Sequence, residues 1–232
     1  MDVPAALQPY VRTAWLPETA EEDGPRTASK LGGTAWIPAD ETWPACPNCG
    51  RSLQLLLQLN PDDLPEAVRG EVGEGLVQLF YCTSQDPLCE VDCEAFFPFS
   101  ASVVARRVVP DGEGSEAVPD LADPFPPRRV VGWRPVDDLP VPEDAPELSL
   151  PDEVWDEVYR HGLVERDKLA GWPTWIQGPE RPACPRCGTE MRVVFQIVSD
   201  DTLPILFGDM GTGHLTRCPE HADVLTFGWA CT

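Results

Sequence analysis

Lysine is almost absent from this sequence: Lys30 and Lys168 are its only two. Lysine and arginine together number 17 against 39 aspartates and glutamates, a formal net charge of −22 over 232 residues. A surface so short of cations repels the phosphate backbone that nucleic-acid-binding proteins neutralise. It also repels an anionic membrane surface. A basic protein partner is the natural complement, although such a charge also serves solubility alone. No apolar run approaches the ~20 residues of a membrane span. Met1 to Tyr10 carries Asp2 and two prolines where a signal peptide needs an apolar core, so the expected location is the cytoplasm. There is no nucleophile elbow, P-loop or dinucleotide fingerprint. Gly208-Asp-Met-Gly-Thr-Gly213 is glycine-rich, but it lacks the strand-to-helix setting of a phosphate loop and reads as a turn. No catalytic residue is expected, and the chain reads as a non-enzyme.

Other residues are plentiful. The sequence holds 27 prolines, eight tryptophans and nine cysteines, and 42% of it is hydrophobic. That is a globular composition with long loop or extended stretches. In a reducing cytosol nine cysteines are poor candidates for disulfides, and metal binding becomes the leading explanation.

Two segments match at an offset of 138 positions. Lys30-Leu31 matches Lys168-Leu169, and Gly33 matches Gly171. Cys46-Pro-x-Cys49-Gly50 matches Cys184-Pro-x-Cys187-Gly188, Gln58 matches Gln196, and Asp62-Asp63 matches Asp200-Asp201. The pattern reads as a duplicated module. The division this suggests is a first zinc-binding module over 1–110, a proline-rich acidic connection with a short helix over 111–160, and a second zinc-binding module over 161–232, the copies either separate or sharing one core. The connection holds 14 acids against four arginines, which predicts an extended, solvated segment whose centre, Phe125–Trp133, docks on a domain surface.

Short apolar runs bounded by turn residues predict strands at Leu53–Leu59, Gly75–Cys82, Phe96–Val109, Met191–Val198, His214–Cys218 and Val224–Trp229. A helix is expected near Pro151–His161, with Val154, Trp155 and Val158 as its apolar stripe, and another at Asp62–Gly70. The fold class is a β-rich α+β arrangement of two modules about a pseudo-two-fold axis, each with a structural zinc site.

Zinc takes four nitrogen or sulfur ligands in a tetrahedron. In the second module the CxxC of Cys184 and Cys187 is followed by a CxxH, Cys218 and His221. In the first module Cys46 and Cys49 are followed by Cys82, and the fourth ligand is Cys89 or Cys93. Cys89 is favoured because Pro87-Leu88-Cys89 reads as a turn, whereas Cys93 alternates with Val91 and Ala95 as a core strand residue does. Two structural Zn2+ ions are therefore expected. A redox CxxC pair is the competing reading, and Cys231 reads as a plain thiol. Lys30 and Lys168 either form a symmetric pair around an anionic ligand or each cap a loop or pair with a nearby acid.

Ser29-Lys-Leu-Gly-Gly-Thr-Ala-Trp-Ile-Pro38, the CxxC and Leu55-Leu-Leu-Gln-Leu59 resemble the DUF1963 or YwqG-like bacterial proteins. So do Lys168-Leu-Ala-Gly-Trp-Pro-Thr-Trp-Ile-Gln177, Phe195-Gln-Ile197 and Phe207-Gly-Asp-Met-Gly211. The cysteine-bearing form is also similar to the eukaryotic programmed-cell-death-2 family. The resemblance implies a duplicated β-rich fold with zinc. For the eukaryotic relatives it implies escort of a new ribosomal protein, and for some bacterial members a toxin–immunity neighbourhood. His221 at a ligand position departs from the eukaryotic pattern. The function this supports is a non-enzymatic protein-interaction module for a basic client. The alternative is a small-ligand-binding protein or enzyme with a cleft between the repeats.

Overall fold

In the computed structural model, which describes residue 3 and residues 5–232, ten strands form one sheet. They are β1 (Arg12–Ala20), β2 (Lys30–Leu31), β3 (Gln54–Leu59), β4 (Leu76–Tyr81), β5 (Val103–Val108), β6 (Arg128–Asp138), β7 (Lys168–Ala170), β8 (Arg192–Val198), β9 (Thr212–Arg217) and β10 (Leu225–Ala230). The helices are α1 (Glu66–Val72), the single turn α2 (Cys89–Asp92) and α3 (Asp152–His161). Part of the N-terminal segment read above, Met1, Asp2 and Pro4, lies outside the described residues.

The sheet order is β10-β9-β8-β7-β1-β6-β2-β3-β4-β5, and every neighbouring pair is antiparallel. The two ends, β5 and β10, lie beside each other, so the sheet is a nearly closed barrel. The loop before β5 bridges the seam: Trp229 N–H donates to the Phe96 carbonyl at 3.0 Å, and Phe99 N–H donates to Thr226 Oγ1 at 2.5 Å. The main apolar cluster spans the barrel. It joins Leu57, Leu79 and Tyr81 to Phe195, Leu215 and Phe227, with Val68 and Val72 of α1 packed in.

β3 and β4 are buried along their whole length, which explains their nearly continuous apolar runs. One face meets the barrel core, and the other lies under the loops that carry the cysteines. A register shift falls between Leu55 and Leu57 in β3 and between Val193 and Phe195 in β8, again 138 positions apart.

The centre of the sheet departs from expectation. Residues 111–160 were read as a solvated connection, but they contain β6, an eleven-residue strand near the middle of the sheet. Its partner β1 lies in a segment for which the apolar pattern predicts nothing. Both strands contain a proline, and prolines are normally confined to sheet edges because they donate no N–H. Here Trp15 faces Pro135, and Pro17 faces Trp133. Each proline lies beyond the short stretch where its strand has a second neighbour: β7 pairs only Ala14 and Trp15, and β2 pairs only Arg128 and Arg129. The ladder is self-complementary about the pair Leu16↔Arg134, since each strand carries a Trp-x-Pro.

Other boundaries move for local reasons. The expected strand Phe96–Val109 shortens to β5, because residues 96–102 turn over the seam. The expected helix at Asp62–Gly70 splits into a 3-10 turn at Pro61–Asp63 and α1, since Pro65 disfavours a helical Leu64. The expected helix near Pro151–His161 forms as α3, with Pro151 as its N-cap, two acids in its first turn and Gly162 at its end. Trp155 and Val158 are buried against Leu7 and Leu139.

Candidate metal centres

Each CxxC sits on the same hairpin-like knuckle. Cys46 N–H donates to the Arg51 carbonyl and Gly50 N–H to the Cys46 carbonyl, both at 2.8 Å. In the second half Cys184 N–H donates to the Thr189 carbonyl at 2.9 Å and Gly188 N–H to the Cys184 carbonyl at 2.8 Å. The closing turn needs left-handed backbone, which Gly50 (φ 73°) and Gly188 (φ 74°) supply without steric cost. The loop between β2 and β3 carries the first knuckle, and the loop between β7 and β8 carries the second.

The structure brings the eight expected residues into two groups: Cys46, Cys49, Cys82 and Cys89; and Cys184, Cys187, Cys218 and His221. Within each group all donor atoms lie within 4.8 Å of one another. Cys46 Sγ is 3.9 Å from Cys89 Sγ, and Cys49 Sγ is 3.7 Å from Cys82 Sγ. Cys187 Sγ is 3.7 Å from Cys218 Sγ, and His221 Nδ1 is 3.8 Å from Cys184 Sγ and 3.7 Å from Cys218 Sγ. A disulfide needs about 2.0 Å. A tetrahedron of sulfurs about 2.3 Å from a central zinc has edges of about 3.8 Å. The spacing matches the second figure, and each group can hold a metal ion.

Cys93 stands outside the first group. Its segment is not the expected core strand. Cys89 opens the helical turn α2 and Cys93 closes it, with Cys93 N–H bonded to the Cys89 carbonyl at 3.1 Å. Cys231 lies apart as well, packed near Gly208.

Amides converge on the sulfurs. Arg186 N–H lies 3.4 Å from Cys184 Sγ, His221 N–H 3.3 Å from Cys218 Sγ, and Asn48 Nδ2 3.3 Å from Cys89 Sγ. Such donors favour thiolate, the metal-binding form. Burial pushes the Cys49 thiol up, but the Arg51 N–H and the clustered thiols outweigh it and hold it at about 7. Cys187 is held at about 6, chiefly by the Thr189 hydroxyl and N–H. Burial raises Cys82, Cys89 and Cys218.

Each half carries a polar network whose lysine, glutamine and loop amides are again matched at 138 positions, though its carboxylate is not. Lys30 Nζ binds Asp23 Oδ1 at 2.8 Å, and the same oxygen accepts from Thr34 N–H. Lys168 Nζ binds Asp138 Oδ2 at 2.8 Å, and that oxygen accepts from Trp172 N–H. Each lysine thus pairs with its own acid, and Lys30 Nζ also donates to the Thr34 carbonyl at 3.1 Å. Gly33 and Gly171 must lack a side chain, because a Cβ would sit 2.6 Å from the Asp23 carboxylate and 2.5 Å from that of Asp138. Gln58 Nε2 donates to the carbonyls of Arg26 and Ala28 while its Oε1 accepts from Trp36 N–H. Gln196 does the same with Val164, Arg166 and Thr174. The third member differs: Gln78 donates to Gln58 Oε1, and His214 takes that place against Gln196 Oε1. Burial drives the His214 imidazole down to about 3, with Lys168 adding to the effect. The sequence reading missed Asp23, Asp138, Gln78 and His214.

Two open clefts of about 820 and 900 Å3 indent the surface, and neither lysine lines them. The first is walled by Arg12, whose guanidinium lies 3.3 Å over the Trp172 ring, and by Trp175 and Glu180. No helix among the described residues is long and apolar enough to cross a membrane.

The family model described as "Domain of unknown function (DUF1963)" matches residues 29–221, a span that holds all eight cluster residues. A protein of Salmonella typhimurium, "Uncharacterized protein YpfL", is 39% identical over 61 residues. That match covers 26% of this chain and only 13% of the relative's length.

Proposed function

The chain belongs to the DUF1963 family, and from that premise we propose that it is a non-enzymatic, zinc-stabilised protein-interaction module of duplicated architecture, acting on a basic protein client in the cytoplasm. The observation that carries the reading is the closure of both four-donor groups. Four protein ligands leave no position for water or substrate, which is the pattern of structural rather than catalytic zinc. Zinc is the ion of choice because thiolate-rich tetrahedral sites suit it and a Cys3His set is a common form.

Duplication is supported by more than the motif spacing. The knuckles, the register shifts, the paired lysines and the glutamine brackets recur at one offset, although the lysines' carboxylate partners do not. A basic client, such as a toxin or a ribosomal protein, is supported by the net charge of −22. The alternative, a small-ligand site or enzyme between the repeats, draws support from the cleft under Arg12 and Trp172. That cleft is lined by neither metal group.

Metal content of the purified chain by mass spectrometry, with free-thiol counting, tests the reading. Two zinc ions per chain are expected. Cys89→Ser should leave one zinc, and Cys93→Ser should leave two. Metal-free protein with thiols oxidised in pairs would sink the reading and restore the redox one.

A further inference from the structure

The two halves treat the connection between their last two strands differently. After β9, Cys218 and His221 complete the second metal group within a turn that reaches Val224, directly before β10. After β4, the same task is spread over residues 82–102, of which Cys82 and Cys89 join the metal group. The second half shows how little chain the metal group requires. The extra length in the first half goes partly to the seam, through Phe96 and Phe99.

The remainder faces solvent. Leu88 is 38% exposed, Val91 56%, Phe97 53% and Phe99 49%. These four large apolar side chains lie within one short strap, whereas isolated exposed apolar residues would need no explanation. Phe99 is held at φ 65°, in the left-handed region that a bulky residue avoids, with its N–H fixed by Thr226. The exposed acids Asp86, Asp92 and Glu94 punctuate the same strap. The first metal group anchors one end of it through Cys89, and the barrel seam anchors the other.

We propose that this strap, with Leu88, Val91, Phe97 and Phe99 as its apolar contacts, is the docking surface for the basic client, and that it recognises a segment combining lysine or arginine with large apolar residues. The inference rests on the basic-client reading given above. Charge complementarity selects the occupant: the strap's acids and the chain's −22 favour a cationic partner, while a second copy carries the same −22 and is repelled. Apolar anchors supply the affinity and the acids supply orientation and encounter rate.

The test uses the full zinc-loaded chain and two fluorescein-labelled probes, an amphipathic lysine–leucine peptide and an oligolysine of equal charge. Binding is read by fluorescence anisotropy at low salt and at high salt. The intact chain should bind the lysine–leucine peptide more tightly than oligolysine. Phe97→Ser with Phe99→Ser should weaken the amphipathic peptide by about tenfold or more and leave oligolysine unchanged. Leu206→Ser with Met210→Ser, which removes exposed apolar groups elsewhere, should change neither. Should the phenylalanine pair disturb folding or zinc content, Val91→Ser on α2 carries the same expectation at smaller size. Equal weakening by the two variant pairs, or none, would overturn the strap while leaving the basic-client reading intact. Failure of the intact chain to bind either probe at low salt would overturn both. A concentration-dependent dimer in sedimentation, lost in the phenylalanine variant, would reassign the strap to self-association.

Discussion

The two halves build the same device from different materials. In the first half Lys30 is fully buried, but its partner Asp23 keeps 36% of its side chain exposed. In the second half both Lys168 and Asp138 are 1% exposed. The first metal group is all cysteine, with three of its four residues buried. The second uses a histidine and leaves Cys187 exposed. One half therefore keeps its ion pair in reach of water and most of its sulfurs inside, while the other buries its ion pair and leaves one of its three sulfurs exposed. A buried pair is costly to desolvate and costlier to break, because the survivor is left as an uncompensated charge. The same fold position can thus differ several-fold in its sensitivity to mutation.

The largest effect should come from the metal groups. Loss of a structural zinc removes order ~10 kcal/mol of apparent folding free energy in small modules. Cys184→Ser or Cys187→Ser should lower zinc content to one per chain and sharply lower the melting temperature. Competition with a chelator, followed by zinc release over time, sharpens the contrast. The group with exposed Cys187 should yield its metal first, and release in a single phase would show the two groups to be equivalent.

Next come the ion pairs. Lys168→Met should cost about 3–5 kcal/mol in urea denaturation, the range for an orphaned buried charge. Lys30→Met should cost clearly less, since water can rehydrate Asp23. Equal losses would erase the distinction drawn from exposure. Smaller still is the effect of Gln196→Ala, about 1–3 kcal/mol, because it orphans the Thr174 N–H and two carbonyls at once. Gln58→Ala should match it.

The smallest effect is a pH dependence. Glu180 is half-buried, and desolvation holds its carboxyl up at about 7. Its folded value lies above its unfolded one. The stability it confers is therefore full below about pH 4.5 and is lost as pH rises through about 7. Glu180→Gln should raise the melting temperature at pH 8 and leave it nearly unchanged at pH 4.5. A larger gain at pH 4.5 would reverse the assignment.

Cysteines, glycines and glutamines at one offset were legible in the sequence because each serves local geometry: a knuckle, a positive φ, a bracket around a loop. β2 and β7, of two and three residues, are too short to write a pattern, whereas β3, β4, β5, β8, β9 and β10 were legible through their short apolar runs. β1 and β6 were not. They are half-exposed, they contain Pro17 and Pro135, and their shared Trp-x-Pro lies 118 positions apart rather than 138. The lysines' partners were hidden for a related reason. Asp23 precedes Lys30 by seven residues and Asp138 precedes Lys168 by thirty, so no common spacing announces them. The choice between Cys89 and Cys93 turned on whether their segment is a strand or a helical turn, which a four-residue stretch does not encode.

The central ladder also sets an order in time. β1 leaves the ribosome first among the strands, yet both of its neighbours, β6 and β7, are encoded far downstream. At roughly 5–20 residues per second, β1 waits on the order of ten seconds with neither edge paired. β2 to β5 can pair among themselves meanwhile, but β2 lacks its second neighbour until β6 emerges. The middle of the sheet is therefore assembled only after β6 has emerged. A nascent chain stalled before residue 128 presents β1 as a free strand to whatever lies nearby, with Pro17 as a built-in obstacle to unwanted pairing along it.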